Sequence, residues 1–208
     1  MEQRTPEWFN ARRCRVTASR IADVMAESRT RGGEAVTRRQ YRWEKILEHF
    51  TGKCKENGYV NAAMQAGIER EGRAREEYAR EFLVDVSACG FVQHPTIEMA
   101  GASPDGLVMD EGLVEIKCPT EGVYGATVEA GKLEVPREYR LQIQWQLACM
   151  PDRKWCDYVV YQEDAPLLRV RVHRDEREIG ILEAEVRKFL DEVQKGVALL
   201  RERAATHD

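Results

Sequence analysis

Asp105, Glu115 and Lys117 are the residues of this chain whose types and spacing could do chemistry. They lie in the run SPDGLVMDEGLVEIKCP at residues 103–119. There an Asp-Gly turn (Asp105, Gly106) precedes a short apolar run, a second turn follows at Asp110, Glu111 and Gly112, and the strand-like LVEIKC sets the acid and the base two residues apart. Side chains alternate along an extended strand, so Leu113, Glu115 and Lys117 share one face, while Val114, Ile116 and Cys118 share the other, which reads as the core-facing one. Two carboxylates offer hard oxygens to a magnesium-type cation, a strand carbonyl can fill a third position, and a lysine can hold or polarise an attacking water. That is the equipment of metal-dependent phosphodiester cleavage. The same spacing also suits a plain hairpin with an exposed Glu/Lys pair, so the elements around it have to decide.

Thr5 before Pro6 reads as an N-cap with proline at the first helical position, opening a short helix over 6–13. Thr17 reads as the cap of a second helix over 18–27, and Gly32 and Gly33 break the chain in a polar loop. A third helix opens at Thr37, carries Trp43, Ile46, Leu47 and Phe50 as a buried stripe, and ends at Gly52. The next helix, over 61–83, turns Met64, Gly67, Ile68, Glu71, Arg75, Tyr78 and Phe82 inward. Glu71 thus stands among apolar positions, where a carboxylate is costly without a partner; a metal, a lysine or an arginine such as Arg75 would each serve. Strand-like runs follow at 88–94 and 96–101, then the central stretch and a short helix over 123–130. Pro136 opens a helix with Tyr139, Gln142, Ile143, Gln146 and Met150 on one side, and its amides suggest a polar cavity. Two further strands, 154–161 and 166–173, are joined by a hairpin turn at QEDAP. A last helix over 175–203 keeps Ile179, Leu182, Val186, Phe189, Val193, Val197 and Leu200 at three- and four-residue steps, to cover a sheet face or a subunit contact.

The chain has 208 residues, 43% hydrophobic and 33% charged, which suits one α/β or α+β domain over 1–208. No apolar run of about 18 residues is present to cross a membrane and the opening MEQRTPEWFN has no signal-peptide core, so a cytoplasmic protein is expected. Six scattered cysteines and four unpaired histidines provide no zinc spacing and no iron–sulfur set. The net charge of −4 argues against a protein that simply coats nucleic acid. Yet residues 4–42 hold ten arginines against four acids. An acidic exterior with a basic channel would have this pattern, and so would a solvated surface.

Four stretches in register, WFNARRCRVTASRIADV, GIEREGRAREEYAREF, SPDGLV with GLVEIKCP, and YRLQIQWQLA, resemble the motifs of the lambda exonuclease family of phage recombination nucleases. The resemblance runs from Trp8 to about Tyr161. It implies a restriction-endonuclease-like core, a mixed central β-sheet flanked by helices, with the PD…(D/E)xK signature written as Pro104, Asp105, Glu115, Ile116 and Lys117. By position it implies that Glu71, Asp105, Glu115 and the Ile116 carbonyl bind Mg2+, one ion or two, with Mn2+ able to substitute. Lys117 would orient the nucleophilic water and Gln142 would line the site. Arg12, Ser19 and Ser103 would fall where the family grips the 5′-phosphate. The sequence departs from the family pattern by a shorter N-terminus and by different loops in the 30s and 120s.

The family's activity is 5′→3′ digestion of one strand of duplex DNA from free ends, releasing mononucleotides and leaving a 3′ overhang. The resemblance further implies a homotrimeric ring around the duplex and transfer of the overhang to a phage single-strand annealing protein. A structure-selective or restriction endonuclease shares the same catalytic core. A non-catalytic DNA-binding scaffold is the alternative from a different class, and intact Asp105, Glu115 and Lys117 weigh against it.

Overall fold

The computed structural model describes residues 2–28, 30–53 and 62–206, with the backbone alone for 62–68. In chain order the elements are α1 (Pro6–Arg12), β1 (Val16–Thr17), a 3₁₀ turn (Ala18–Arg20), α2 (Ile21–Val24), α3 (Val36–Thr51), α4 (Ala62–Phe82), β2 (Val86–Ser87), β3 (Val92–Gln93) and β4 (Ala100–Ala102). They continue with β5 (Gly106–Val108), β6 (Gly112–Lys117), α5 (Glu121–Glu129), α6 (Arg137–Cys149), β7 (Trp155–Val160), β8 (Leu168–His173) and α7 (Glu176–Ala205).

A five-stranded mixed sheet has the order β2-β5-β6-β7-β8, and a small one the order β1-β4-β3. In the large sheet β6 and β7 run parallel, with Glu115 level with Tyr158, and the other pairs are antiparallel. Parallel neighbours need a crossover rather than a tight turn. Here α5 and α6 provide it, which brings α6 across the sheet beside β6.

Both faces of β6 are buried, where alternation had assigned the core to one. Val114 and Ile116 pack with Ala74 and Tyr78 of α4 and with Val159. Leu113 belongs to the larger core, with Ile143 of α6, Tyr158 of β7 and Phe189 of α7. Glu115 therefore points into a covered layer and is only 1% exposed. Asp157 is fully buried on the α4 side, where it accepts the Tyr78 hydroxyl at 2.7 Å and Arg171 Nε at 2.8 Å. This charged knot fastens α4 to the sheet.

Several elements follow from local chemistry. The Thr5 hydroxyl accepts the Trp8 N–H and caps α1. Gly52 ends α3 at φ 68°, a left-handed position that costs glycine little. Asp175 caps α7 by accepting the N–H groups of Arg177 and Glu178, and the expected apolar stripe of that helix is buried from Ile179 to Val197. Gly112 lies under the Trp155 ring, so closely that a Cβ would overlap it.

Other expectations are corrected. Thr17 does not cap a helix over 18–27: it pairs with Gly101 in the parallel β1–β4 ladder, and only a 3₁₀ turn and the four-residue α2 follow. Helix α3 begins at Val36 with Ala35 as its cap residue. Its buried face carries Arg38, Tyr41, Lys45 and Glu48, while Leu47 and Phe50 are exposed. Lys45 and Glu48 pair at 2.8 Å, and that mutual neutralisation lets two charges occupy an inward stripe. Of the run 96–101, residues 96–99 form a bend and turn and only Ala100 and Gly101 enter the short β4, which pairs with β1 on one edge and β3 on the other in the second sheet. Helix α7 packs chiefly on α3 and α6 instead of on the sheet. The expected inward positions Met64, Gly67 and Ile68, and the start at Asn61, lie outside the described side chains.

Candidate active site

The β5–β6 hairpin places the predicted acids. Asp105 immediately precedes β5, and its Oδ2 accepts the Ile116 N–H at 2.7 Å. That bond ties the start of one strand to the end of the next, so the carboxyl group is held against the β6 backbone. Glu115 Oε1 accepts Lys117 Nζ at 2.5 Å and Gln142 Nε2 at 2.7 Å. Its Oε2 accepts Gln146 Nε2 at 2.6 Å. Lys117 also lies over the Tyr139 ring, 4.6 Å from the centroid. Asp105, Glu115, Lys117, the Ile116 backbone and Gln142 are thus brought together, as the sequence suggested.

Gln146 and Tyr139 complete the arrangement. Both fall on the α6 side that the helical spacing singled out, yet no motif separated them from packing residues. The signal that could have found them is the i, i+4 relation of Gln142 and Gln146, which puts two amides one turn apart on the same face. Helix α6 is in fact buried nearly all round, with Leu141, Ile143, Gln144, Trp145 and Leu147 covered as well.

Glu71 arrives from α4. Its side chain is 14% exposed, with Oε2 accepting Arg4 Nη2 at 2.7 Å and Oε1 accepting Arg75 Nη2 at 3.3 Å. The inward carboxylate thus has arginine partners, Arg75 among them. Arg4 reaches it from an N-terminal strap with φ 67° at Arg4 itself, pinned by Gln3 Nε2 donating to the Cys89 and Pro104 carbonyls, each at 2.8 Å.

Three carboxylates, Asp105, Glu115 and Glu71, meet Lys117, Arg4 and Arg75 at the centre. Desolvation, then the neighbouring charges of Glu115 and Glu71, push the Asp105 carboxyl well above its usual range, with Lys117 and the Ile116 N–H opposing. Burial works to lower the Lys117 pKa, but Glu115 and Asp105 outweigh it and raise it, so Lys117 is held as an ammonium. Hard carboxylate oxygens suit a small divalent cation in kind. In arrangement, among the described residues no three His, Cys, Asp or Glu side chains form a ligand cluster. The bonds above give the reason: both Glu71 oxygens face arginines, and those of Glu115 face a lysine and two amides.

The second predicted group, Arg12, Ser19 and Ser103, is also gathered. The Arg12 guanidinium lies over the Trp8 ring at 4.2 Å and reaches Ser19 Oγ at 3.5 Å. Trp8 Nε1 donates to Ser103 Oγ at 2.9 Å, and Ser19 Oγ is 3.4 Å from Thr17 Oγ1. Trp8 is the missed member, since it joins Arg12 on its face to Ser103 on its edge. Ser103 is two residues from Asp105, so this group adjoins the acids. Ser19 lies in a 3₁₀ turn instead of the first turn of the expected helix over 18–27.

The chain is similar to known exonucleases. An alkaline exonuclease from Laribacter hongkongensis, LHK-Exo, is 41% identical over 98% of this chain and 100% of its own, with a TM-score of 0.86. The same enzyme in complex with dAMP matches equally, at 41% identity and TM-score 0.86 over the same shares of the two chains. A phage-related exonuclease from Haemophilus somnus, at 16% identity and TM-score 0.62 over 91% of this chain and 96% of its own, shares the fold. No curated protein gave a significant match. The fold is mixed α/β, and the likeness to a 41% identical alkaline exonuclease places the chain in the exonuclease class. The model of the YqaJ-like viral recombinase domain matches residues 7–151, and the chain belongs to that family.

Proposed function

We propose that this protein is a Mg2+-dependent 5′→3′ exonuclease that digests one strand of linear duplex DNA from 5′-phosphorylated ends to mononucleotides and leaves 3′ single-stranded overhangs for strand-annealing recombination. The observation that carries the reading is the convergence of Asp105, Glu115 and Lys117 on the β5–β6 hairpin in a chain 41% identical, over 98% of its length, to an alkaline exonuclease. The complex of that relative with dAMP supports nucleotide-sized products.

Asp105, Glu115, the Ile116 carbonyl and Glu71 would hold the cation, with Glu71 exchanging an arginine partner to take part. When bound, Mg2+ or Mn2+ supplies Lewis-acid polarisation of the phosphate and a more acidic water. Lys117 holds the attacking water by its ammonium, which Glu115 keeps charged and aimed. Gln142 fixes Glu115 Oε1 and faces the same space. Arg12, with Ser19 and Ser103, receives the terminal phosphate, for which a guanidinium offers a planar pair of donors. A pocket for the chain end beside the scissile bond sets both the polarity and the step of one nucleotide. Homotrimer formation and handover to a phage annealing protein extend this reading.

The test is a time course on linear duplex labelled at the 5′ or 3′ end, with and without Mg2+, for wild type and for Asp105→Ala and Glu115→Ala. Early release of 5′-labelled mononucleotide that requires Mg2+ and both acids is the expected outcome. Discrete internal fragments would instead indicate an endonuclease on the same fold. Cleavage retained by either alanine variant would remove the site assignment.

A further inference from the structure

We infer that Gln146 is a positioning residue that selects which oxygen of Glu115 serves the proposed cation, an inference that rests on the nuclease reading above. A carboxylate has about four lone-pair directions, two on each oxygen. Glu115 Oε1 accepts from both Lys117 and Gln142, at 2.5 and 2.7 Å, and is saturated. Oε2 accepts only from Gln146, at 2.6 Å, and keeps one direction open. The oxygen able to accept a further partner is therefore the one that Gln146 holds in place.

The amide of Gln146 is committed to this task. Its residue is fully buried, and its Oε1 has no hydrogen-bond partner among the described residues. An unpartnered buried acceptor forfeits the hydrogen bonds it would make in water. Turning the amide over would set that oxygen against the Glu115 carboxylate, which is worse. The donor is thus directed at Glu115 at the expense of the other half of the side chain. Gln144, on the same helix and also fully buried, differs: its Nε2 donates to the His173 carbonyl at 2.8 Å and its Oε1 accepts the Asp175 N–H at 3.0 Å, so both halves serve packing.

The arrangement separates tasks between two amides one turn apart. Gln142 and Lys117 fill one oxygen, and Gln146 steadies the other without filling it. Partners of this kind behind a metal ligand typically contribute about 10- to 100-fold in metal affinity or activity.

Gln146→Met keeps length, volume and helix preference while removing the donor. Calorimetric titration with Mn2+ in the absence of DNA should show affinity weakened by about 10- to 100-fold. Turnover on duplex ends should fall at subsaturating Mn2+ and recover in part at high Mn2+, with KM for DNA unchanged. Gln144→Met is the comparison: it should lower the urea midpoint and leave Mn2+ affinity as in wild type. Where Gln146→Met does not fold, Gln146→Asn carries the test, since it withdraws the amide by one methylene. A folded Gln146 variant that binds Mn2+ like a wild type which itself binds the ion and cuts DNA overturns this inference alone. A wild type that binds no Mn2+ and cuts no duplex overturns the nuclease reading, and this inference with it.

Discussion

Lys117 is confined by geometry that an arginine cannot reproduce. Its ammonium sits between Glu115 Oε1 at 2.5 Å and the face of Tyr139 at 4.6 Å, and Tyr139 in turn stacks on Tyr158. A planar guanidinium is wider and spreads its charge over three nitrogens. Lys117→Arg should therefore lower turnover by about 10²-fold or more, while Mn2+ binding stays close to wild type; an active arginine variant would mean that positive charge alone suffices. Arg12, proposed above to receive the terminal phosphate, stacks on Trp8, which donates to Ser103, and reaches Ser19. Wild type should digest 5′-phosphorylated duplex ends faster than 5′-hydroxyl ends. Arg12→Ala should treat the two alike, and rates measured on matched substrates decide it. Full retention of the preference would put the terminal phosphate elsewhere.

Among the elements, α7 offers a paired test of packing against propensity. Gly196 meets the Ile46 side chain of α3 so closely that an added Cβ would overlap it, whereas Gly180 has nothing within 4 Å. Gly196→Ala should destabilise by about 1–3 kcal/mol through overpacking. Gly180→Ala should stabilise by about 0.5–1 kcal/mol through reduced backbone entropy. Urea unfolding of the two variants gives the opposite signs, and equal signs would contradict the α3–α7 contact. The same helix shows what sequence can reveal: its stripe and its Asp175 cap are local and periodic, so the order of residues alone discloses them. The strand that carries Glu115 is legible for a similar reason, since turns bracket it on one side and Pro119 on the other. By contrast β1 to β4 are two or three residues long, too short to hold a period. Thr17 shows the difficulty, because its type favours a cap while its partner, Gly101, is distant in the chain. The inward charges of α3 were hidden too, as Lys45 and Glu48 look like surface residues until each is seen to neutralise the other. In the site, Asp105, Glu115 and Lys117 are close in sequence and were readable, whereas the roles of Trp8 and Gln146 exist only once α1 and α6 are docked.

At the scale of the whole molecule, the basic segment does not act as a uniform basic surface. Arg20 is paired with Asp23 and Glu44, and Arg38 with Glu34, Glu185 and Glu192, while Arg42 also holds Glu34. The bonds from Arg38 to Glu185 and Glu192 tie α3 to α7, and the pairs together consume much of the local excess. A single copy then has limited charge with which to grip a duplex, and several copies around a shared channel would add theirs. We expect a homotrimer in solution. Mass measurement by light scattering at micromolar concentration should give three times the 23.9 kDa chain, and monomer alone would refute assembly while leaving the chemistry untouched. Among the described residues no helix is long and apolar enough to cross a membrane.

The parallel ladder between β1 and β4 sets a timetable for the growing chain. Val16 finds its partner only at Ala100, and Glu115 receives Gln146 and its level neighbour Tyr158 later still. Ribosomes add residues from the N-terminus at about 5–20 per second, and contacts so far apart in sequence form late. A nascent chain that ends before β7 therefore carries every acid assigned to the site but lacks the strand that frames Glu115. Half-made copies that stop before β7, whether stalled or truncated, would be harmless to the DNA around them.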